Sequence, residues 1–481
     1  MKTAIVSPTE ALEAGDEAVR KGNLEDARRA YESLLETDPN SSDAQAGLEY
    51  VAFLGSDRKS RYQWEGSEYW KEVAETKRRN FALILDEFEK GKTKLKAFPP
   101  NAFIEHTTRC NFYCPHCAKG YEPYPAVDME SGMVDKALDT LLPFLTRACI
   151  TGFGEPTIGS AYNRIVKRLV ANGVTTHFST NVSTLTIPHI DSLVRGDADV
   201  ILSIDGASKE TFETIRAGGD WSKVLKSLAA IKRITAIHRT QARFSVTFVA
   251  LRMNIHELPA MVRLVRDFNL SNLKVHDYQS IGKEFDKQSL RNEPEKANAY
   301  FEEAEKLATE LGVHLILPDR YSVPQVGQAS NSKSLSRMGR LFPARKRFPQ
   351  RCIHPWEYTQ IRPEGGVTPC CYSSREMGNL KKDSFESIWN GWRYRFFRWR
   401  VDSFFPPPEC RECHVYEGIN KGNAGNTMAV EGYLVRKAYG LERRISRFLA
   451  KWRSREPAAP AEVNKYFKGK TLKPDQSANR G

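Results

Sequence analysis

The sequence predicts an α/β protein: a partial, open (β/α)6 barrel of the TIM type, preceded by a helical hairpin and followed by a small cysteine-rich module. Three observations carry this. Between Asn101 and Leu317 short apolar runs alternate with stretches of helical periodicity. The segment before it has helical periodicity only. The cysteines gather in two places, around Cys114 and between Cys352 and Cys413.

At the N-terminus, Ala11, Ala14, Gly15 and Ala18 fall on one face of a first helix. Gly22-Asn23 supplies a turn, Ala27, Tyr31 and Leu34 face back from a second helix, and Asp38-Pro39 ends it. These positions resemble the 34-residue tetratricopeptide (TPR) pattern, with a partial second unit over Ser42–Leu54. One repeat cannot bury its own apolar face, so it must dock on a neighbouring helix, the enzyme body or a partner. A further helix is expected in Arg61–Phe88, which holds Trp64 and Trp70.

The strand-like runs are Phe103–Thr107, Ala148–Gly152, Thr175–Thr180, Val200–Ile204, Phe244–Ala250 and Leu273–His276. Helical stretches such as Met133–Leu145, Tyr162–Ala171, Val224–Ile234 and Leu258–Phe268 follow them. Repeated βα units give a parallel sheet, and chemistry in such sheets sits at the C-terminal ends of the strands. Glu295–Leu311 and His314–Leu317 close the unit. The boundaries read from these patterns are 1–56 for the hairpin, 57–100 for linking helices, 101–320 for the barrel, 321–351 for a basic loop, 352–416 for the cysteine module and 417–481 for a basic helix and tail.

The net charge of +13 favours acidic partners, and it is uneven: about −5 over the first sixty residues and about +18 over the remainder. No apolar run is long enough to span a bilayer, and the start lacks the apolar core of a signal peptide, so a cytoplasmic protein is expected. Seven of the nine cysteines fall in C-x3-C, C-x2-C or C-C groupings, which points to metal or cluster ligation in a reducing compartment.

The chemistry-bearing motifs follow strand ends. Cys110, Cys114 and Cys117 form C-x3-C-x2-C after the first strand. Three thiolates leave one iron of a cubane cluster open to a small ligand. Thr151-Gly152-Phe153-Gly154-Glu155-Pro156 follows the second strand, where glycine permits close backbone approach and a carboxylate can hold an ammonium group. Ser179 and Asn181, then Ser203, lie at the next two strand ends, and Arg216 offers a guanidinium.

Together these motifs resemble the radical S-adenosylmethionine (SAM) superfamily. The resemblance implies a [4Fe-4S] cluster on Cys110, Cys114 and Cys117, with SAM on its open iron. Gly154, Glu155 and Pro156 then match the family's Gly-Gly-Glu-Pro motif, which holds the SAM amino group, with Phe153 at the variable position and Gly152 beside it in the same cofactor-binding loop. Ser179, Asn181, Ser203 and Arg216 complete the SAM site. His116 stands where the family often has an aromatic residue near the adenine. Cys352-Ile353-His354-Pro355-Trp356, Gly365 to Cys371, Trp389 and Cys410-x2-Cys413 resemble the SPASM/twitch auxiliary module. That implies a second auxiliary [4Fe-4S] cluster on Cys352, Cys370, Cys410 and Cys413, with Cys371 as the alternative to Cys370; a zinc site with the same ligands is the bland alternative. Cys149 reads as a small buried side chain.

By this resemblance, reductive cleavage of SAM yields a 5′-deoxyadenosyl radical that abstracts a hydrogen atom from substrate, with a flavodoxin or ferredoxin as reductant. The TPR-like hairpin favours a peptide or protein substrate over a sugar or aminoglycoside-like molecule. A zinc-binding nucleic-acid scaffold leaves Glu155 and the strand order unexplained and lacks an aromatic stacking platform. Finally, Tyr433–Arg455 carries the apolar stripe Leu434, Ala438, Leu441, Ile445, Phe448, Leu449 and Trp452 opposite Arg and Lys, suited either to packing on the enzyme or to an anionic membrane surface.

Overall fold

The computed structural model describes residues 7–56, 67–120, 125–279, 285–322, 352–401, 403, 406–411 and 413. The basic loop from 323, Tyr433–Arg455, the tail and Trp64 lie outside them. Three helices, α1 (Pro8–Arg20), α2 (Leu24–Thr37) and α3 (Ser42–Leu54), open the chain, followed by α4 (Ser67–Glu89). Ser7 and Glu10 form a reciprocal capping box on α1. Gly15 and Gly47 face the Tyr31 ring from either side, where a Cβ would come within 2.5 and 2.7 Å of it.

β1 (Asn101–Ile104), α5 (Ser131–Leu141), β2 (Arg147–Cys149), α6 (Tyr162–Ala171), β3 (Thr175–Thr180), α7 (Ile187–Arg195), β4 (Asp199–Ser203), α8 (Lys209–Ile215), α9 (Trp221–His238), β5 (Arg243–Ala250), α10 (Leu258–Asp267), β6 (Leu273–Asp277), α11 (Pro294–Leu311) and β7 (Leu315–Ile316) follow. β1 to β7 are parallel and neighbour one another in chain order. The expected strands and helices are present within a few residues. The first strand starts earlier than expected, because Asn101 already pairs with Arg147.

After residue 351 come α12 (His354–Glu357), β8 (Tyr358–Ile361), β9 (Gly366–Thr368), β10 (Gly378–Asn379), α13 (Phe385–Trp389), α14 (Trp392–Val401) and α15 (Pro408–Arg411). β8 pairs parallel with β1, from Asn101 with Tyr358 to Ile104 with Ile361. Among the described residues the sheet therefore has ten strands, in the order β10-β9-β8-β1-β2-β3-β4-β5-β6-β7. The later cysteine region is continuous with the parallel sheet, a connection that local periodicity does not reveal.

Side chains on the linker before β1 and on the later helices tie this junction. Trp356 Nε1 donates to Lys92 O at 2.8 Å, and Trp389 Nε1 to Ala97 O at 2.9 Å. The buried Arg398 guanidinium donates to Pro355 O, Thr93 O and Trp389 O and lies 4.2 Å from the Trp389 ring centroid. Burial pushes its pKa down to about 9, which the neighbouring Tyr394 and Glu87 partly offset, and the group also lies 4.6 Å from the Tyr394 ring centroid.

The N-terminal helices dock on α7 and α9. Tyr50 Oη donates to Asp191 Oδ1 at 2.7 Å, and Arg233 and Lys232 of α9 pair with Asp16 and Asp43 at 3.0 and 2.8 Å. Their apolar face is thus covered by the body of the protein.

Alternation along the strands sorts the sheet into two faces. Ala102, Ile104, Ala148, Phe178, Val200, Leu202, Val246 and Phe248 make one face mostly apolar and buried, with Thr176 and Thr180 among them. The opposite face holds the ladders Cys149–His177–Asp199–Arg243 and Ser203–Thr247–Lys274, which are mostly polar. At its N-terminal end Asp199 bonds Arg147 at 2.9 Å and Arg243 at 3.0 Å, with His177 Nδ1 at 3.4 Å. Burial pushes the Asp199 carboxyl up, but the His177 and arginine contacts outweigh it and hold it at about 2.

Its stabilising contribution is therefore complete above the ordinary carboxylate value of 3.8 and is lost as pH falls towards 2. Urea unfolding of wild type and Asp199→Asn should differ in favour of wild type at neutral pH, with the gap closing between about pH 4 and pH 2.

Candidate active site

The loop after β1 carries Cys110, Cys114 and Cys117, and two neighbouring loops bracket it. Glu155 N donates to Arg109 O at 2.7 Å, which fastens the loop after β2 to it. Gly154 sits so close that a Cβ would lie 2.8 Å from Thr107 O and closer still to Arg109 O, so only glycine fits. On the other side Tyr113 N donates to Ala217 O at 2.8 Å, just past α8. Gly218, with φ of 91°, approaches Asn111 O there.

Cys114 is buried and Cys110 and Cys117 are half-buried. Burial pushes the Cys114 thiol up to about 11, against the pull of Arg216, whose Nη1 lies 3.9 Å from its sulfur. Burial raises Cys110 as well, and the charge of Glu155 adds to it. Among the described residues no three His, Cys, Asp or Glu side chains converge as ligands of a single ion do. A cubane takes one thiolate per iron, so its sulfurs need not meet at one point.

Glu155 is fully buried, and its contacts are uncharged donors. Thr157 N, Thr157 Oγ1 and Thr180 Oγ1 reach Oε1 at 3.2, 2.6 and 2.8 Å, and Asn181 N reaches Oε2 at 2.6 Å. Burial nevertheless pushes its carboxyl above the ordinary range. A cation seated at Oε2 would bring it down. Pro156 opens the 3-10 turn over Pro156–Ile158. Gly152 lies against Glu105, whose Oε1 accepts Phe153 N at 2.8 Å.

Asn181 Nδ2 donates to Asn111 Oδ1 at 2.9 Å, joining the end of β3 to the cysteine loop. Ser179 N donates to Thr151 Oγ1 at 2.7 Å. Ser203 is half-buried on the polar face, in register with Thr247.

Arg216 is committed to Asp205, its Nη2 lying 2.6 Å from Oδ2. His116 Nε2 lies 3.2 Å from the same oxygen. Burial raises the Asp205 carboxyl, but Arg216 and His116 prevail and hold it at about 2. Arg216 Nε and His116 Nδ1 are buried without a hydrogen-bond partner, so the Arg216 N–H has capacity left for an acceptor such as a ligand carboxylate. Sequence reasoning singled out Ser203 and Arg216 here and missed this carboxylate. Its signal was a charge ending an otherwise apolar strand.

In the later region Cys352, Cys370, Cys410 and Cys413 are half-buried and Cys371 is more exposed. Cys413 lies near both Cys370 and Cys371. Two backbone N–H groups, of Tyr372 and Ser373, approach Cys370, while the buried Tyr358 hydroxyl faces Cys371. Cys149, on β2, is buried beside them. The sheet thus brings the two cysteine groups to neighbouring strands, β1 and the β8–β9 hairpin.

Residues 104–265 match the radical SAM superfamily and residues 352–414 the SPASM iron–sulfur cluster-binding domain. The mycofactocin maturase of Mycolicibacterium smegmatis is 28% identical over 182 residues, 38% of this chain and 44% of that protein, so the chain spans under half of that relative's length. The PqqA peptide cyclase of Bradyrhizobium diazoefficiens is 23% identical over 351 residues, 68% of this chain and 83% of that protein. A tungsten-containing aldehyde ferredoxin oxidoreductase cofactor-modifying protein of Pyrococcus furiosus is 23% identical over 346 residues, 66% and 88% of the two chains.

Asp205→Asn leaves the buried Arg216 guanidinium without its carboxylate. It should cost about 3–5 kcal/mol in chemical denaturation, and a cost under 1 kcal/mol would contradict the arrangement.

Proposed function

We propose that this chain, residues 104–265 of which match the radical SAM superfamily and residues 352–414 the SPASM domain, is an iron–sulfur enzyme that abstracts a hydrogen atom from a peptide or protein substrate held over the polar face of the sheet. Its cofactors are a [4Fe-4S] cluster and SAM in the first domain and further iron–sulfur in the second. When bound, they supply the one-electron chemistry that makes a 5′-deoxyadenosyl radical. In this reading Cys110, Cys114 and Cys117 ligate the first cluster. Cys352, Cys370, Cys410 and Cys413 ligate one auxiliary cluster.

The chain's own residues then bind, orient and exclude. Glu155 accepts the SAM ammonium at Oε2, the position where a cation would relieve its burial. Arg216 and Ser203 take the SAM carboxylate, with Asp205 holding the guanidinium in place. Asn181 and Ser179 line the ribose side. The buried walls formed by Phe112, Ile204 and Phe212 keep water from the reacting atoms. The environment of Glu155 carries this assignment: a buried carboxylate with only neutral donors, stitched to the cysteine loop.

The substrate class rests on the likeness to the PqqA peptide cyclase, which spans most of that protein. The likeness to a cofactor-modifying protein supports a second reading, a small-molecule substrate. The same proposal takes the parallel sheet as a partial (β/α)6 barrel and the N-terminal helices as a TPR-like unit. It places the protein in the cytoplasm, with a flavodoxin or ferredoxin as reductant.

Anaerobic reconstitution should load about eight irons per chain, two cubanes. Adding SAM and dithionite should release 5′-deoxyadenosine. Cys114→Ala should lose about half the iron and all SAM cleavage, whereas zinc at both sites with no cleavage would defeat the reading. Glu155→Gln should weaken SAM binding roughly tenfold or more in equilibrium dialysis, because a charge-assisted bond is lost, while iron content stays unchanged. Deuterium from a labelled substrate should appear in 5′-deoxyadenosine. If only small molecules transfer it, and no peptide does, the peptide reading fails.

A further inference from the structure

The helix α14, Trp392–Val401, is aromatic on both sides. Tyr394, Phe397, Arg398 and Val401 face inward. The outward side carries Trp392, Phe396 and Trp399, exposed by 73%, 50% and 63%. An outward helix face is ordinarily polar, and three large aromatics on one such face mark an interaction surface. The helix has four arginines and no acidic residue. Phe396 and Trp399 stack with centroids 5.7 Å apart. Arg393 lies over the Trp392 ring at 5.6 Å, and Arg400 over Phe396 at 5.8 Å. Guanidinium groups and large rings are therefore interleaved on one outward surface.

We propose that this face of α14 is a peripheral docking surface for an anionic lipid bilayer. Three features favour lipid over an acidic protein. Tryptophan rings settle at the boundary between headgroups and acyl chains. Guanidinium groups bind phosphate oxygens in pairs and remain charged there. The sequence after Cys413 also repeats the composition. Tyr433–Arg455 combines the apolar positions Leu434, Leu441, Phe448 and Trp452 with eight Arg and Lys. A planar anionic surface offers both segments the same partner. Among the described residues no helix is long and apolar enough to cross a membrane, so the contact is one of adsorption.

The test is flotation of the full-length protein with vesicles of phosphatidylcholine alone or mixed with phosphatidylglycerol, at low and high salt. The protein should float only with the anionic vesicles, and less so as salt rises. Brominated lipid should quench its tryptophan fluorescence. The variant Trp392→Ser/Phe396→Ser/Trp399→Ser should lose roughly tenfold or more of the bound fraction. Arg393→Glu/Arg395→Glu should lose binding with all the aromatics intact. Both variants should retain wild-type iron content and SAM cleavage, which separates lost docking from lost folding. No anionic-vesicle binding by wild type would overturn the proposal, as would wild-type binding by both variants. Aromatic-dependent capture of an acidic flavodoxin without vesicle binding would overturn it in favour of a protein partner.

Discussion

The parallel pairing of Tyr358–Ile361 with Asn101–Ile104 is the constraint on which the rest of the structure depends. It involves only four residues on each strand, yet it joins positions more than two hundred and fifty residues apart in the chain. A parallel pair cannot be closed by a short turn, so everything from the cysteine loop to α11 belongs to the crossover between these two strands. The ladder fixes the height of the later cysteines relative to the first three. Trp356, Trp389 and Arg398 reinforce it by gripping the backbone just before β1. The carbonyl of Ala97 is buried and would otherwise be left unpaired there.

Two buried carboxylates at the C-terminal strand ends have opposite surroundings. Asp205 has cations on it already and is held low. Glu155 has four neutral donors and is pushed up. The difference is one of neighbours, since both are fully buried. It gives the end of the sheet one carboxylate that positions a guanidinium and one that still has room for a positive charge. An amino acid carries both complementary groups, an ammonium and a carboxylate, on one carbon.

Much of the fold was legible because the βα units are local. A strand run such as Phe244–Ala250 is apolar on alternate positions, and helices such as Pro294–Leu311 carry their own start and stop residues. The β1–β8 junction was not legible, because a four-residue buried strand has no period that names its partner. The site was legible as motifs: the cysteine triplet, Gly154-Glu155-Pro156 and the strand-end Ser203 and Asn181. What spacing could not supply was pairing. Arg216 read as a ligand-binding guanidinium, and the structure adds Asp205 and His116 at its side. Nor could composition show that α14 turns an arginine inward and two tryptophans outward, since either face satisfies the same hydrophobic count.

The sheet order bears on how this protein can be taken apart. Strands β8 to β10 cover the flank of β1, which is short, apolar and otherwise open along one row of backbone amides and carbonyls. Cutting the chain before Cys352 would uncover that row and leave Thr93, Ala97 and Lys92 without the side chains that cap them. The shortened protein would be adhesive and short of a cluster at once. The later cysteine region is thus no detachable cartridge. In any lineage that discards its cluster, the strands themselves would have to be kept, or their place filled by others.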